Sequence, residues 1–313
     1  MHWSRIWTIE VPGTKPGTIE ADPLNSSLLI ADGWGVAFAS LAVRQIDATS
    51  GRVLATVRTR TPIRAFGRAT QFAEQAFFFV GQERIFLHGS TDLQRLSAYD
   101  KRVPRYSNEI CDVGEGHVVL AAPRAVIEYD LQSSRSRRIS RAPAVTLGVV
   151  DQHPTAVLAD GTVITRGAKW EPVGNVGQPL CKGAIGRASA VLAALVGQTS
   201  SAYDAQGLPQ PVAAPHSRSL QIASLRGVWR VRPMEVPFPA SVVGIVGQSV
   251  VAVAAGHGMQ TTVADAHLED VDPSMRVATV PGQFAGFAGP HGFLTWSPSA
   301  DQSSIQLSLF SAA

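Results

Sequence analysis

Charge, cysteine and methionine are all scarce in this chain of 313 residues: 16% of the residues are charged, and there are 2 Cys and 4 Met. So little charge beside 45% hydrophobic residues excludes a disordered or fibrous chain, because there is enough apolar surface to bury a core. Cys111 and Cys181 form no Cys-x-x-Cys pair and lie far apart in sequence, so they read as reduced, buried thiols and not as a disulfide framework. No unbroken apolar run reaches membrane-spanning length. The segment Met1–Val11 also lacks the apolar stretch of a signal peptide, so a soluble, cytoplasmic protein without membrane contact is expected. A net charge of +3 and an isoelectric point near 9.1 give a mild positive bias but no strongly basic stripe, which disfavours specific nucleic-acid recognition. Standard catalytic signatures are missing as well: there is no Gly-x-Ser-x-Gly elbow, His-Glu-x-x-His helix, phosphate-binding loop, dinucleotide fingerprint or calcium-binding loop.

What is abundant is punctuation. With 28 Gly and 20 Pro the chain has residues for many turns, which points to many short elements. Short apolar runs separated by Gly- or Asp-containing turns recur: Leu29 to Phe38, Ile110 to Leu120, Gly148 to Leu158, Gly183 to Leu192, Val243 to Val253 and Gly286 to Leu294, with a weaker copy ending in Gln75 to Val80. Taking Val36, Phe77, Val118, Ala156, Ala190, Val250 and Phe293 as equivalent, the intervals are 41, 41, 38, 34, 60 and 43 residues, and six intervals mean seven units. The runs are β-branched and aromatic, without a 3.6-residue apolar period, so they read as strands. A third strand follows in several units and ends in Asp: Val43 to Asp47, Ala125 to Asp130, Ser201 to Asp204 and Thr262 to Asp265. A strand-closing Asp accepts hydrogen bonds from the next turn, which makes it structural punctuation.

A period of about 40–45 residues is that of a four-stranded propeller blade. The pattern resembles the WD40-like and quinoprotein-like families of seven-bladed β-propellers, most closely at Asp47-Ala48-Thr49-Ser50-Gly51 and Asp160-Gly161-Thr162, although no Trp-Asp dipeptide occurs. The resemblance implies an all-β fold in a single domain spanning residues 1–313. The last unit ends one strand short while Ile6 to Val11 is a spare strand, so the amino-terminal strand is expected to complete the last blade. A Pro-rich insertion at about 207–240 holds Pro209, Pro211, Pro215, Pro233, Pro237 and Pro239. Two strand-like runs inside it, Ser219 to Leu225 and Gly227 to Val231, leave eight blades as the alternative count.

Three constellations can carry function. His117, His153 and His291 fall between the first and second strands of their units and are the candidates for a channel face; separate turn residues are the simpler reading, and no metal is expected. Arg58, Arg60, Arg64 and Arg68 run from one unit's outer strand to the next unit's inner strand and, with Trp34 in its Gly-Trp-Gly turn, are candidates for an anion or partner site. Arg135, Arg137, Arg138 and Arg141 form a polyanion-binding candidate on an outer strand. The sequence therefore predicts a non-catalytic binding or scaffold module for a protein or peptide partner, with no cofactor. The alternative is a small-molecule enzyme, a lyase, hydrolase or cyclase whose ligand sits in the channel mouth; no catalytic residue is assigned.

Overall fold

A computed structural model describes residues 2–12, 15–22, 26–33, 41–69, 76–82, 84–99, 103–104, 107–133, 135–186, 189–197, 201–203, 209–211, 217–226, 229–254, 258–269, 274–300 and 303–312. Its regular structure is almost entirely antiparallel strand; the exception among the described residues is a 3-10 turn at Gly289–His291.

After the first strand, β1 (Trp3–Pro12), the strands β2 (Pro16–Asp22), β3 (Ser27–Asp32), β4 (Ala42–Asp47) and β5 (Val53–Arg58) form one sheet in chain order. The same pattern is repeated by β6 (Ala65–Ala69), β7 (Ala76–Val80), β8 (Ile85–Gly89) and β9 (Arg95–Tyr99), and by β10 (Glu109–Gly114), β11 (His117–Ala122), β12 (Ala125–Asp130) and β13 (Ser136–Ser140). A fourth copy is β14 (Ala144–Val150), β15 (His153–Leu158), β16 (Thr162–Arg166) and β17 (Trp170–Asn175). A seven-stranded sheet follows, in the order β18 (Leu180–Gly186), β19 (Val191–Val196), β22 (Ser217–Ser224), β23 (Val231–Val246), β24 (Ser249–Ala254), β25 (Gln260–His267) and β26 (Arg276–Pro281). The short pair β20 (Ser201–Tyr203) and β21 (Pro209–Pro211) stands apart as a hairpin. The last sheet runs β27 (Gln283–Phe287), β28 (Phe293–Pro298), β29 (Ser304–Ala312) and then β1, with Trp3 opposite Ala312 and Pro12 opposite Ser304. The amino-terminal strand is thus the outer strand of the last repeat.

The seven-stranded sheet is two four-stranded repeats sharing one strand. The first part of β23 pairs with β22, from Val231 opposite Ala223 to Glu235 opposite Ser219, and its last part pairs with β24, down to Val246 opposite Ser249. Along β22 the register jumps from Glu235 to Ala240, so Pro237 and Pro239 fall where no ladder N–H is needed. The Pro-rich insertion therefore supplies the third and fourth strands of the fifth repeat and part of a hairpin, not the extra blade of the eight-blade alternative. Two strand assignments are corrected in the same way. Ser201–Tyr203 pairs with β21 and is not the third strand of its repeat, which is β22. Leu29–Ala31 belongs to the second strand of the first repeat, because β2 precedes it; Val36 lies outside the described residues.

The chain divides into two compact units, residues 1–103 with 256–262 and 278–313, and residues 104–255 with 263–277. Both follow one packing logic. Second strands are largely buried and apolar at their centres, as in Ser27-Leu28-Leu29-Ile30-Ala31-Asp32 and Ala76-Phe77-Phe78-Phe79-Val80, whose residues are all buried. Outer strands such as β5 are mostly exposed, and alternate between exposed and half-buried along Leu54 to Arg58. Neighbouring first strands meet through glycine. A Cβ on Gly148 would lie 3.1 Å from Ile185 in the second unit, and one on Gly286 would lie 3.0 Å from Ile19 in the first, so each glycine makes room for the isoleucine of the adjacent repeat.

Candidate functional site

The strand-closing aspartates hold turns. Asp47 Oδ1 accepts hydrogen bonds from the amides and hydroxyls of Thr49 and Ser50, and these bonds, led by the Thr49 hydroxyl, lower its carboxyl to about 2. Asp130 is also lowered to about 2, first by the Ser133 hydroxyl and then by the Ser133 amide. Asp160 accepts from the Thr162 amide, 2.9 Å away.

The histidines are distributed among local partners. His117 begins β11 and its Nδ1 lies 3.4 Å from Glu128 Oε1; His153 begins β15 and its Nδ1 lies 3.3 Å from the carbonyl of Arg166. His291 ends the 3-10 turn in the other unit. Burial lowers its pKa, partly offset by the charge of Asp47, so the ring is neutral at pH 7. Among the described residues no three His, Cys, Asp or Glu gather as a metal-holding group.

The first arginine series splits by role. Arg58 ends β5 and is exposed, as is Arg60; Arg64 is half-buried. Arg68 on β6 reaches the first strand of the preceding repeat, where its Nη1 lies 2.6 Å from Asp22, whose side chain is fully buried. That pair ties two repeats together and commits one of the four cations. Trp34 lies outside the described residues.

The second series stands beside a carboxylate that the sequence does not single out. Glu128 sits in mid-β12 with its side chain 5% exposed. Its Oε2 accepts from Arg137 Nη2 at 2.8 Å and from Trp170 Nε1 at 3.1 Å, while Arg166 Nη2 and His117 Nδ1 each lie 3.4 Å from Oε1. Burial pushes the carboxyl upward, but the hydrogen bond from Arg137 and the charges of Arg166 and Arg137 prevail, and its pKa falls below the ordinary value. Arg166 is itself fixed by the carbonyls of Gly167 and Ala168. Two permanent cations thus share one anion, and Arg137, 61% exposed, turns outward from it. Arg135 and Arg138 on either side are exposed, and so is Arg141. Such a strip can take carboxylates or phosphates.

Four-stranded antiparallel sheets repeated along the whole chain, with the first strand outermost on the last sheet, have clear counterparts among solved structures. The β-propeller domain of Cps50 (Swd1) from Myceliophteria thermophila matches with a TM-score of 0.65 at 9% identity, over 96% of this chain and 99% of that one. The fold is that of a WD40-type β-propeller. The WD40 domain of Pan2 from Neurospora crassa matches with a TM-score of 0.62 at 11% identity, over 98% of this chain and 95% of that one. At these identities the likeness speaks for the propeller fold alone. No protein-family model matches the sequence, and no curated protein does.

In propeller terms, Glu128, Arg166 and Trp170 join the third and fourth blades, and sequence reasoning passed over Glu128 and Arg166. The available signal was a charged residue in mid-strand, two positions before the closing Asp130. Gln45 occupies the same place before Asp47 and is also buried, with its Nε2 donating to Ser27 Oγ and to the carbonyl of Ser90 in the second blade.

Proposed function

We propose that this propeller is a non-catalytic binding and scaffold module for a protein or peptide partner, working as a monomer in the reducing cytoplasm. The observation that carries the reading is what its perturbed titratable groups do. Asp47 and Asp130 fasten turns, Glu128 grips two arginines and an indole, and His88 is buried, stacked on Phe79 with ring centroids 4.1 Å apart. Groups with displaced pKa values concentrate at active sites when they face a substrate; these four are instead engaged in holding strands, turns or ring packing. Cys111 and Cys181 are both buried, which suits thiols in a reducing compartment. No helix among the described residues is long and apolar enough to cross a membrane.

Affinity purification of the tagged chain from its native cells, followed by mass spectrometry, tests the reading. A partner recovered in stoichiometric amount and rebound by the purified protein is expected. Recovery of the chain alone, together with turnover of a small metabolite from the same extract, would replace this reading with the enzyme alternative.

A further inference from the structure

The outer strand of the third blade is set apart by exposing no large apolar side chain, although β5 also exposes a cation, Arg58. β5, β9, β17 and β26 expose apolar side chains, among them Leu54, Leu96, Val173 and Val277. In β13 the exposed residues are Ser136, Arg137 and Arg138, and exposed Arg135 and Arg141 flank the strand. Residues 131–150 hold four arginines and no Asp or Glu. β13 is also last in its sheet order, so its pairing to β12, through Ser136, Arg137, Arg138 and Ser140, uses one of its two edges.

We propose that β13 is a docking edge for an extended acidic peptide segment of the partner, which adds a strand beside β13 and sets its carboxylates against Arg135, Arg137, Arg138 and Arg141. The proposal rests on the binding-module reading and gives it a site and a partner chemistry. Strand addition uses main-chain hydrogen bonds for affinity and side-chain pairs for specificity. Alternate residues of an extended chain are about 6.6 Å apart, so acids on the incoming strand repeat at the spacing of Arg135 and Arg137, and opposite charges directly across a strand pair are favourable. Glu128 holds one end of Arg137 in place, which lowers the ordering cost of using the rest of it. Charge on an edge strand also discourages self-pairing, but either sign serves that purpose; four arginines without an acid select an anionic partner. A peptide fits better than a nucleic acid, because a phosphodiester chain has no N–H groups to pair with the edge.

The test is fluorescence anisotropy with the full chain and a labelled twelve-residue peptide of Glu-Glu-Thr-Val repeats. Saturable binding that weakens with added salt is expected, together with loss of binding when Lys replaces Glu in the peptide. Combining Arg138→Glu with Arg141→Glu should weaken binding by about tenfold or more, and Arg138→Gln with Arg141→Gln by a smaller factor, both with an unchanged melting temperature because these side chains are exposed. The proposal fails if both variants bind like the parent, if a peptide N-methylated at alternate backbone positions binds equally well, or if a thymidine twelve-mer binds as tightly as the peptide. A partner captured equally by the parent and the charge-reversed variant would leave the binding-module reading standing while removing this edge from it.

Discussion

At the scale of single residues, the turn aspartates show how little chain is needed to stop a strand. Asp47 Oδ1 takes hydrogen bonds from two amides and two hydroxyls within three residues, and the hairpin reverses there, with Gly51 at φ 74° completing the turn. A Cβ on Gly51 would also come within 3.1 Å of the Trp7 ring. Asp47→Ala should destabilise by about 1 kcal/mol, the usual value of a lost local cap, read from urea unfolding at pH 7. The pH dependence has a defined sign. Because the folded-state pKa is about 2 against an ordinary 3.8, the carboxylate's contribution is complete above about pH 4 and disappears as pH falls through 2. The stability gap between the parent and Asp47→Asn should therefore shrink between pH 4 and pH 2; a gap that stays constant across that window would show that the charge is not what stabilises the turn. This part of the site was legible because an Asp at a strand end and its Thr-Ser partners are sequence neighbours. Glu128 was not, since its partners Arg137, Arg166 and Trp170 are brought to it only by strand pairing and blade packing.

At the scale of elements, the third strand does more than extend its own sheet. Its position two residues before the closing Asp reaches the next blade, as Gln45 does toward Ser90 and Glu128 toward Trp170 and Arg166. In Glu128→Ala the Arg166 guanidinium and the Trp170 indole lose their shared acceptor in a part-buried setting. Stability should fall by about 2–3 kcal/mol, and Glu128→Gln, which keeps an acceptor for the indole but not the charge, should fall in between. Thermal unfolding of the two variants checks the order; a Glu128→Ala protein as stable as the parent would show that the blades are held by apolar packing alone. Second strands were easy to read because most are largely buried and centred on a short apolar run. First strands were harder. β2 reads Pro-Gly-Thr-Ile-Glu-Ala-Asp and is half-buried along much of its length, so it carries neither an apolar run nor an alternation, and the repeat was assigned one strand late. Ser201–Tyr203 misled for the opposite reason: it is strand-like and followed by Asp204, yet its register leads to β21.

At the scale of the whole chain, the decisive pairing joins residues about 300 apart, with β1 lying along β29 from Trp3 to Pro12. The sequence could show this only as a deficit, a final unit one strand short and a spare strand at the start, because periodicity counts strands without saying which ones touch. The pairing also fastens the last blade to the first. Trp7 Nε1 donates to the carbonyl of Ala48 at 2.9 Å, and Trp7, Val11, Leu28, Ile46, Leu294 and Leu307 share one core. Deleting residues 1–12 removes the buried side chains of Trp3, Trp7 and Val11 and leaves β29 as an open edge. At roughly 1.5–3 kcal/mol for each large buried apolar side chain, the loss is about 5–9 kcal/mol, comparable to the whole stability of an ordinary domain. The truncated chain is expected to melt more than about ten degrees below the parent, or to aggregate through β29. Trp7→Ala separates these effects, since it keeps the strand while emptying its largest contact, and should cost about 3–5 kcal/mol in urea unfolding without exposing the edge. If the truncated chain melts with the parent, β1 is not what completes the last blade.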